Sequence, residues 1–134
     1  MTDWAEQRRR AIDVHAAELA RREAAEAEEA GRLIEGFIER ARAHGVQPIQ
    51  LRARSYDGRH RYRTSLNGWY LTPDERFAVG EDGRFYILTV PGSLRALVTG
   101  ASVAPARPRL FIGEGGQDGE RIALRELLDR ALRR

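Results

Sequence analysis

The stretch IQLRARSYDGRHRYRTSLNGWYLT, residues 49–72, decides how the second half of this chain folds. Apolar residues alternate with polar residues along it, and this period of two is typical of a half-buried β-strand. Asp57-Gly58 and Asn67-Gly68 are dipeptides that close two-residue β-hairpin loops. The stretch therefore predicts three antiparallel strands joined by a turn at each dipeptide. The predicted strands are residues 49–56, 59–66 and 69–72.

Two further strands are predicted after this stretch. RFAVG (76–80) and RFYILTV (84–90) are separated by the turn residues Glu81-Asp82-Gly83. Since RFYILTV is apolar at successive positions, we expect it to be central in the sheet or covered on both faces. Together, the predicted strands are most simply arranged as an antiparallel meander of about five strands. Beyond it, residues 94–98 fit a short strand or a helical turn, and RLFIG (109–113) fits a short strand.

Both ends of the chain are predicted to be helical. Residues 1–30 form an arm with few large apolar residues, so this arm cannot bury much surface against the rest of the chain. After Gly31 the apolar pattern strengthens and predicts a second, docking helix that ends at Gly45. A closing helix is predicted from about Glu120 to Arg133.

The predicted fold class is α+β, with a long N-terminal helical arm, an antiparallel β-meander of about five strands and a C-terminal helix packed on the sheet. Residues 1–45 are assigned to the helical arm and docking helix, and residues 46–134 to the sheet domain with its C-terminal helix. A chain of 134 residues has room for a single compact core.

Composition and spacing exclude several kinds of site. The chain has no cysteine, which excludes disulfides, thiolate catalysis and iron-sulfur clusters. His15, His44 and His60 lie in unrelated predicted elements, so no metal site is predicted. The glycine-rich stretch 110–121 matches neither G-x-G-x-x-G nor a Gly-Lys-Ser/Thr element, so no cofactor is predicted. Because no catalytic motif is present either, we expect a non-enzymatic protein.

The expected location is the cytoplasm. The N-terminus MTDWAEQRRR is polar and lacks the apolar centre of a secretory signal. No run of about 18 apolar residues occurs, and a membrane-spanning helix would need one. We therefore expect no contact with membranes.

The positive charge of the chain is concentrated in the first predicted hairpin. Residues 45–66 hold five arginines and one acidic residue, although the whole chain has a net charge of only +3. A two-residue loop at Asp57-Gly58 would place Arg54 opposite Arg61 and Arg52 opposite Arg63, on one face of the hairpin. The opposite face, with Leu51, Ala53 and Tyr62, would face the core and continue into Trp69 and Leu71. The candidate anion or nucleic-acid face comprises Arg52, Arg54, Tyr56, Arg59, Arg61, Arg63 and Tyr70.

Like charges directly opposite each other destabilise a sheet, so this face is expected to meet an anion or to remain solvated. Three alternatives are open. The acidic part of the arm, around Glu23, Glu26, Glu28 and Glu29, could fold back or reach over from a neighbouring subunit. Solvent and salt could screen the arginines. Nucleic acid could bind, with arginines contacting phosphates and the tyrosines stacking on bases.

The arm predicts a second kind of interaction. Trp4, Ile12 and Leu19 are its candidate contact residues, because a long helix with so sparse an apolar face gains stability from a partner. We therefore expect a small protein-interaction module that binds a protein partner or forms a homo-oligomer through the arm. The alternative is nucleic-acid binding through the arginine-rich hairpin face.

Overall fold

The computed structural model describes residues 2–113 and 121–133. The elements occur in the order α1 (Thr2–Ala43), β1 (Ile49–Ser55), β2 (Arg61–Tyr70), β3 (Phe77–Gly80), β4 (Phe85–Ile87), β5 (Thr89–Val90), α2 (Leu94–Thr99), β6 (Phe111–Gly113), β7 (Arg121–Ala123) and α3 (Leu124–Leu132). The predicted α+β class is confirmed, because a long N-terminal helix and a C-terminal helix both contact a five-stranded sheet.

The main sheet has the strand order β4-β3-β2-β1-β5. Strands β1 to β4 form an antiparallel meander, whereas β5 pairs with β1 in parallel, so the sheet is mixed. The predicted strand 84–90 divides at Leu88. The amide of Leu88 donates to the carbonyl of Arg76 at 2.7 Å, and the carbonyl of Leu88 accepts from the amide of Arg54 at 2.8 Å. Leu88 therefore connects the two edge strands, β4 and β5, and bonds both to the residue before β3 and to β1.

The predicted turn at Asn67-Gly68 is wrong, since β2 runs straight through this dipeptide. Gly68 pairs with Ile49, and the register with β1 shifts between Gln50 and Arg52, as in a β-bulge. Glycine is required at 68 for a different reason than a turn. A Cβ there would overlap the carbonyl oxygen of Val79 on β3, so the glycine permits close approach of two strands.

The predicted break between the arm and a docking helix is also wrong, because α1 is continuous through Gly31. A glycine inside a helix costs about 1 kcal/mol. Ending the helix there would leave backbone N–H and C=O groups without helical partners. The helix ends instead at Ala43, and Gly45, whose φ of 73° suits a glycine cap, follows it.

The C-terminal helix begins later than predicted. Residues 121–123 form β7 and pair with β6, so α3 starts at Leu124. Leu124, Leu127 and Leu128 of this helix are buried, as its apolar spacing requires. No helix within residues 2–113 and 121–133 is both long and apolar enough to cross a bilayer.

Two apolar clusters lie on opposite faces of the sheet. The rung of Trp69, Val79 and Phe85 belongs to the first cluster, together with buried residues of α1 and α3. The next rung, with Ala78 and Tyr86, belongs to the second cluster. Phe85 and Tyr86 are thus buried on opposite faces, but Ile87 is exposed and β4 and β5 are both edge strands, so the run 84–90 is not central in the sheet. The expectation that Trp69 and Leu71 share a face with Leu51 is wrong, because they lie in different clusters once the turn at 67–68 is absent.

Candidate functional site

The first hairpin closes where the sequence predicts, at Asp57-Gly58. The amide of Gly58 donates to the carbonyl of Ser55 at 2.9 Å, and Gly58 adopts a φ of 73°, which a glycine tolerates. The carboxylate of Asp57 accepts from the Ser55 hydroxyl at 2.5 Å and from the Arg59 amide at 3.0 Å. These two hydrogen bonds, the Ser55 bond foremost, lower the pKa of Asp57. The ionised Asp57 therefore fixes the turn and, through it, the register between β1 and β2.

This register brings the predicted arginine pairs together. Arg54 lies opposite Arg61, and Arg52 lies opposite Arg63. Arg52, Arg61 and Arg63 are exposed, and Arg54 is half-buried. Arg59 is exposed in the turn.

The two predicted tyrosines are separated. Tyr56, next to the turn, is 72% exposed. Tyr70 packs against the second apolar cluster, and its hydroxyl accepts from the amide of Arg52 at 2.8 Å. The structure thus leaves Tyr56 near the arginines and places Tyr70 on the opposite face of the sheet.

The anion that faces the arginines is Glu75, in the loop between β2 and β3. Its carboxylate lies 3.2 Å from Nη2 of Arg54 and 3.0 Å from Nη2 of Arg61. The backbone of Glu75 has a φ of 61°, which is uncommon for a residue with a side chain and costs about 1 kcal/mol. Asp74 fixes the loop by accepting from the Thr72 hydroxyl at 2.6 Å. No sequence signal identifies Glu75, because its place over the hairpin depends on the path of this loop.

The acidic part of the arm does not bind these arginines, so the fold-back hypothesis is wrong for this chain. Glu23 forms an ion pair with Arg107. The carboxylate of Glu26 accepts from the amide of Leu110 at 3.1 Å. These acids therefore hold α1 against the segment before β6. Glu28 and Glu29 are exposed.

The three candidate residues of the arm are exposed on one side of α1. Trp4 is 69% exposed, Ile12 61% and Leu19 51%. At 3.6 residues per turn, the steps from Ile12 to Leu19 and from Leu19 to Ala30 are close to two and three whole turns, whereas the step from Trp4 to Ile12 places Trp4 about 80° around the helix. Ala30 is fully buried on the body. Ile12 and Leu19 therefore continue the face with which α1 docks, and Trp4 lies at the edge of that face. These three side chains are here called the exposed stripe.

A groove lies where this stripe leaves the body. It has a volume of about 1130 Å³. Leu19, Ile87 and Phe111 supply apolar walls, and the latter two side chains are 41% and 49% exposed. Its other lining includes Arg22, Arg107, Arg109 and Arg121. No sequence pattern predicts the groove, because its walls come from three separate segments that only the fold brings together.

The three histidines lie at separate places in the fold. His15 is exposed on the arm and His44 follows α1, while the ring of His60 stacks on Tyr62 at 6.4 Å. Within residues 2–113 and 121–133, no three His, Asp or Glu side chains are grouped to hold a metal ion. Most of the glycine-rich stretch, residues 114–120, lies outside the described residues.

Comparison of the chain with protein-family models, with curated proteins and with solved structures finds no match.

Proposed function

We propose that this chain is a small non-enzymatic cytoplasmic protein-interaction module whose contact element is the arm. One observation carries the proposal. Residues 3–22 of α1, here called the exposed segment, are exposed at every position, yet Ile12 and Leu19 continue the docking face of the same helix and Trp4 lies at its edge.

The physical argument concerns both the backbone and the side chains of the exposed segment. An isolated helix of about 20 residues is marginal in water, and most helical stability in proteins comes from packing of an apolar face. Single exposed apolar residues are ordinary on protein surfaces. A stripe that includes a tryptophan is different, because tryptophan is enriched among residues that dominate binding energy. A partner covering this stripe would both stabilise the segment and bury its apolar surface.

The test is photo-crosslinking from single positions of the full chain in cells. A photoreactive amino acid at Ile12 lies on the stripe. The matched control is Val14, which is 59% exposed and points to the other side of the helix. We expect adducts from position 12 at several times the yield from position 14. Equal yields, or no adduct at either position, would contradict the proposal, whereas adducts with any protein at position 12 would support it.

Nucleic-acid binding through the hairpin is the second candidate. Among the described residues, Arg52, Arg59 and Arg63 form no ion pair, and the exposed Tyr56 adjoins the same turn as Arg59. Three such arginines and an aromatic ring are suited to phosphate contact and base stacking.

This candidate is tested by oligonucleotide titration at low and physiological salt. Replacing Arg63 with alanine should reduce the slope of log affinity against log salt by about one unit, as expected for one lost phosphate contact. Glu75→Gln should strengthen binding, because it frees Arg54 and Arg61 from their ion pairs. Arg42→Ala, an exposed change on α1 outside the hairpin, is the control. A flat salt response of the unaltered chain would remove the candidate.

A further inference from the structure

A second cavity, separate from the groove, lies between the first hairpin and the segment that follows α2. It is open to solvent and has a volume of about 420 Å³, within the range of small-ligand pockets. Its described lining comes from β1, from residues 63–65 of β2 and from residues 99–102. This lining supplies one guanidinium, one carboxamide and four hydroxyl groups, and it includes no acidic side chain. The cavity, here called the polar pocket, therefore has the composition of a site for an anion.

Backbone contacts hold the walls of the polar pocket in place. The amide of Ala101 donates to the carbonyl of Arg63 at 2.8 Å, so the segment after α2 lies against β2. Gly100 permits this close approach, because a Cβ there would lie 2.8 Å from the same carbonyl oxygen, and its φ of 82° suits glycine. On the β1 side, the side-chain amide of Gln50 donates to the carbonyl of Thr64 at 3.0 Å. The fold thus brings three segments together around the cavity.

The donors of the polar pocket divide into those that the fold uses and those that it leaves for a ligand. The hydroxyl groups of Thr64 and Thr99 donate to backbone carbonyl groups at 2.6 Å and 3.0 Å. Arg63, Ser65 and Ser102 are exposed, and their side chains form no hydrogen bond or ion pair within residues 2–113 and 121–133. One guanidinium and two hydroxyl groups are therefore available to an incoming molecule.

The two arginine pairs of the hairpin differ in whether the chain supplies them with an anion. Arg54 and Arg61 share the carboxylate of Glu75. Arg52 and Arg63 also lie directly opposite each other, but neither forms an ion pair with a residue that the structure describes. Like charges opposite each other destabilise a sheet, and a bound anion would offset that cost. The polar pocket lies beside the pair that lacks an internal anion.

The geometry of the donors favours a phosphate over a carboxylate. A guanidinium offers two parallel N–H groups to an oxyanion, and phosphate and carboxylate both accept them. The hydroxyl groups of Ser65 and Ser102 come from separate segments on two sides of the pocket. A tetrahedral phosphate presents oxygen atoms to donors on several sides, whereas the oxygen atoms of a carboxylate lie in one plane.

We propose that the polar pocket binds a phosphate group, with the guanidinium of Arg63 as the charged contact and the hydroxyl groups of Ser65 and Ser102 as further donors. The described lining of the pocket contains no residue of α1, so this inference goes beyond the proposed function of the arm. Two sources share the chemistry, namely the backbone of a nucleic acid and the terminal phosphate of a mononucleotide. The first source would give the second candidate function a specific phosphate contact.

Titration of the full chain with inorganic phosphate at constant ionic strength, followed by NMR of backbone amides, tests the pocket. We expect saturable shifts at residues 63–65 and 99–102. Arg63→Ala should raise the dissociation constant about tenfold or more, because it removes the charged donor. Arg59→Ala is the matched control, since it removes an exposed arginine of the same hairpin that does not line the pocket. No saturable shift, or equal losses in the two variants, would overturn the proposal.

A substitution that leaves the charge unchanged tests whether the site is more than one surface arginine. Ser102→Ala removes a single exposed hydroxyl and should raise the dissociation constant for phosphate about threefold. An unchanged constant in Ser102→Ala, beside a large loss in Arg63→Ala, would indicate attraction to an isolated guanidinium. That result would overturn the pocket.

Two further ligands distinguish the source of the phosphate and separate this inference from the second candidate function. Adenosine monophosphate has a terminal phosphate, whereas a single-stranded oligonucleotide without terminal phosphates has only its backbone. Shifts at residues 99–102 with the oligonucleotide that are lost in Arg63→Ala would support both the pocket and nucleic-acid binding. The same shifts with the mononucleotide alone would support the pocket and remove nucleic-acid binding. Oligonucleotide affinity that falls in Arg59→Ala but not in Arg63→Ala would keep the hairpin face and overturn the pocket.

Discussion

The two halves of α1 differ in environment although they belong to one helix and present one continuous face. In residues 30–41, Ala30, Ile34 and Phe37 are fully buried, and the ring of Phe37 meets Trp69 edge-on at 5.3 Å. In residues 3–22, every position is exposed. Both halves have helical sequences, so propensity does not explain the difference. The docked half is a helix because it packs, and the exposed half extends it because propagating a helix is cheaper than starting one.

Hydrogen exchange should give the largest contrast between the two halves. At a protein concentration where the chain is monomeric, amides of residues 34–41 should exchange at least about a thousandfold more slowly than those of residues 5–16. The reason is that the docked half opens only with the core, whereas the exposed half frays alone. Mass spectrometry of peptic peptides measures this difference. Equal protection in both halves would show that the exposed segment is held by contacts within one chain.

Removing one aromatic ring from each half of α1 should distinguish a ring that stabilises the fold from a ring that is free to contact a partner. Phe37→Ala should lower the free energy of unfolding by about 3–5 kcal/mol, because it leaves a cavity against Trp69. Trp4→Ala should change it by less than about 0.5 kcal/mol in the monomer, since the indole is 69% exposed. Urea denaturation at low protein concentration provides both values. A large loss in Trp4→Ala would place the indole in the folding core instead.

Gly31 lies between the two halves of α1. Its replacement should raise the free energy of unfolding, whereas the substitutions above lower it. A Cβ at this position meets nothing within 4 Å. Gly31→Ala should therefore stabilise the protein by about 0.5–1 kcal/mol through higher helix propensity. The matched contrast is Gly45→Ala, which should destabilise it because Gly45 has a φ of 73°. If Gly31→Ala destabilised the chain, α1 would need flexibility at this junction.

The ion pair between Glu23 and Arg107 lies at the boundary between the two halves of α1. Removing this pair should have the smallest effect on the free energy of unfolding. Both side chains are about half exposed, so Glu23→Gln should cost only about 0.2–1 kcal/mol, and less at high salt. Glu28→Gln, an exposed change further along α1, is the control. A loss above about 2 kcal/mol would indicate that α1 depends on this pair for its attachment.

Local signals in the sequence predicted local structure well. Asp57-Gly58 forms the turn that its residues favour, since the hydrogen bonds that fix it all lie between residues 55 and 60. The arginine register follows from that turn by counting. Asn67-Gly68 has the same hairpin-turn residues, but β2 runs through this dipeptide without a turn. The glycine there serves the contact between β2 and β3, which no local pattern records.

The sequence by itself determined the α+β class, the first hairpin with its paired arginines, and the sparse apolar face of the arm. These features depend on period, turn residues and the absence of nearby apolar neighbours. Only the tertiary structure decided that Glu75 faces the arginines, that the arm acids bind elsewhere, and that a groove lies beside Leu19. Each of those depends on segments far apart in the chain, whose positions are set by packing of the whole core.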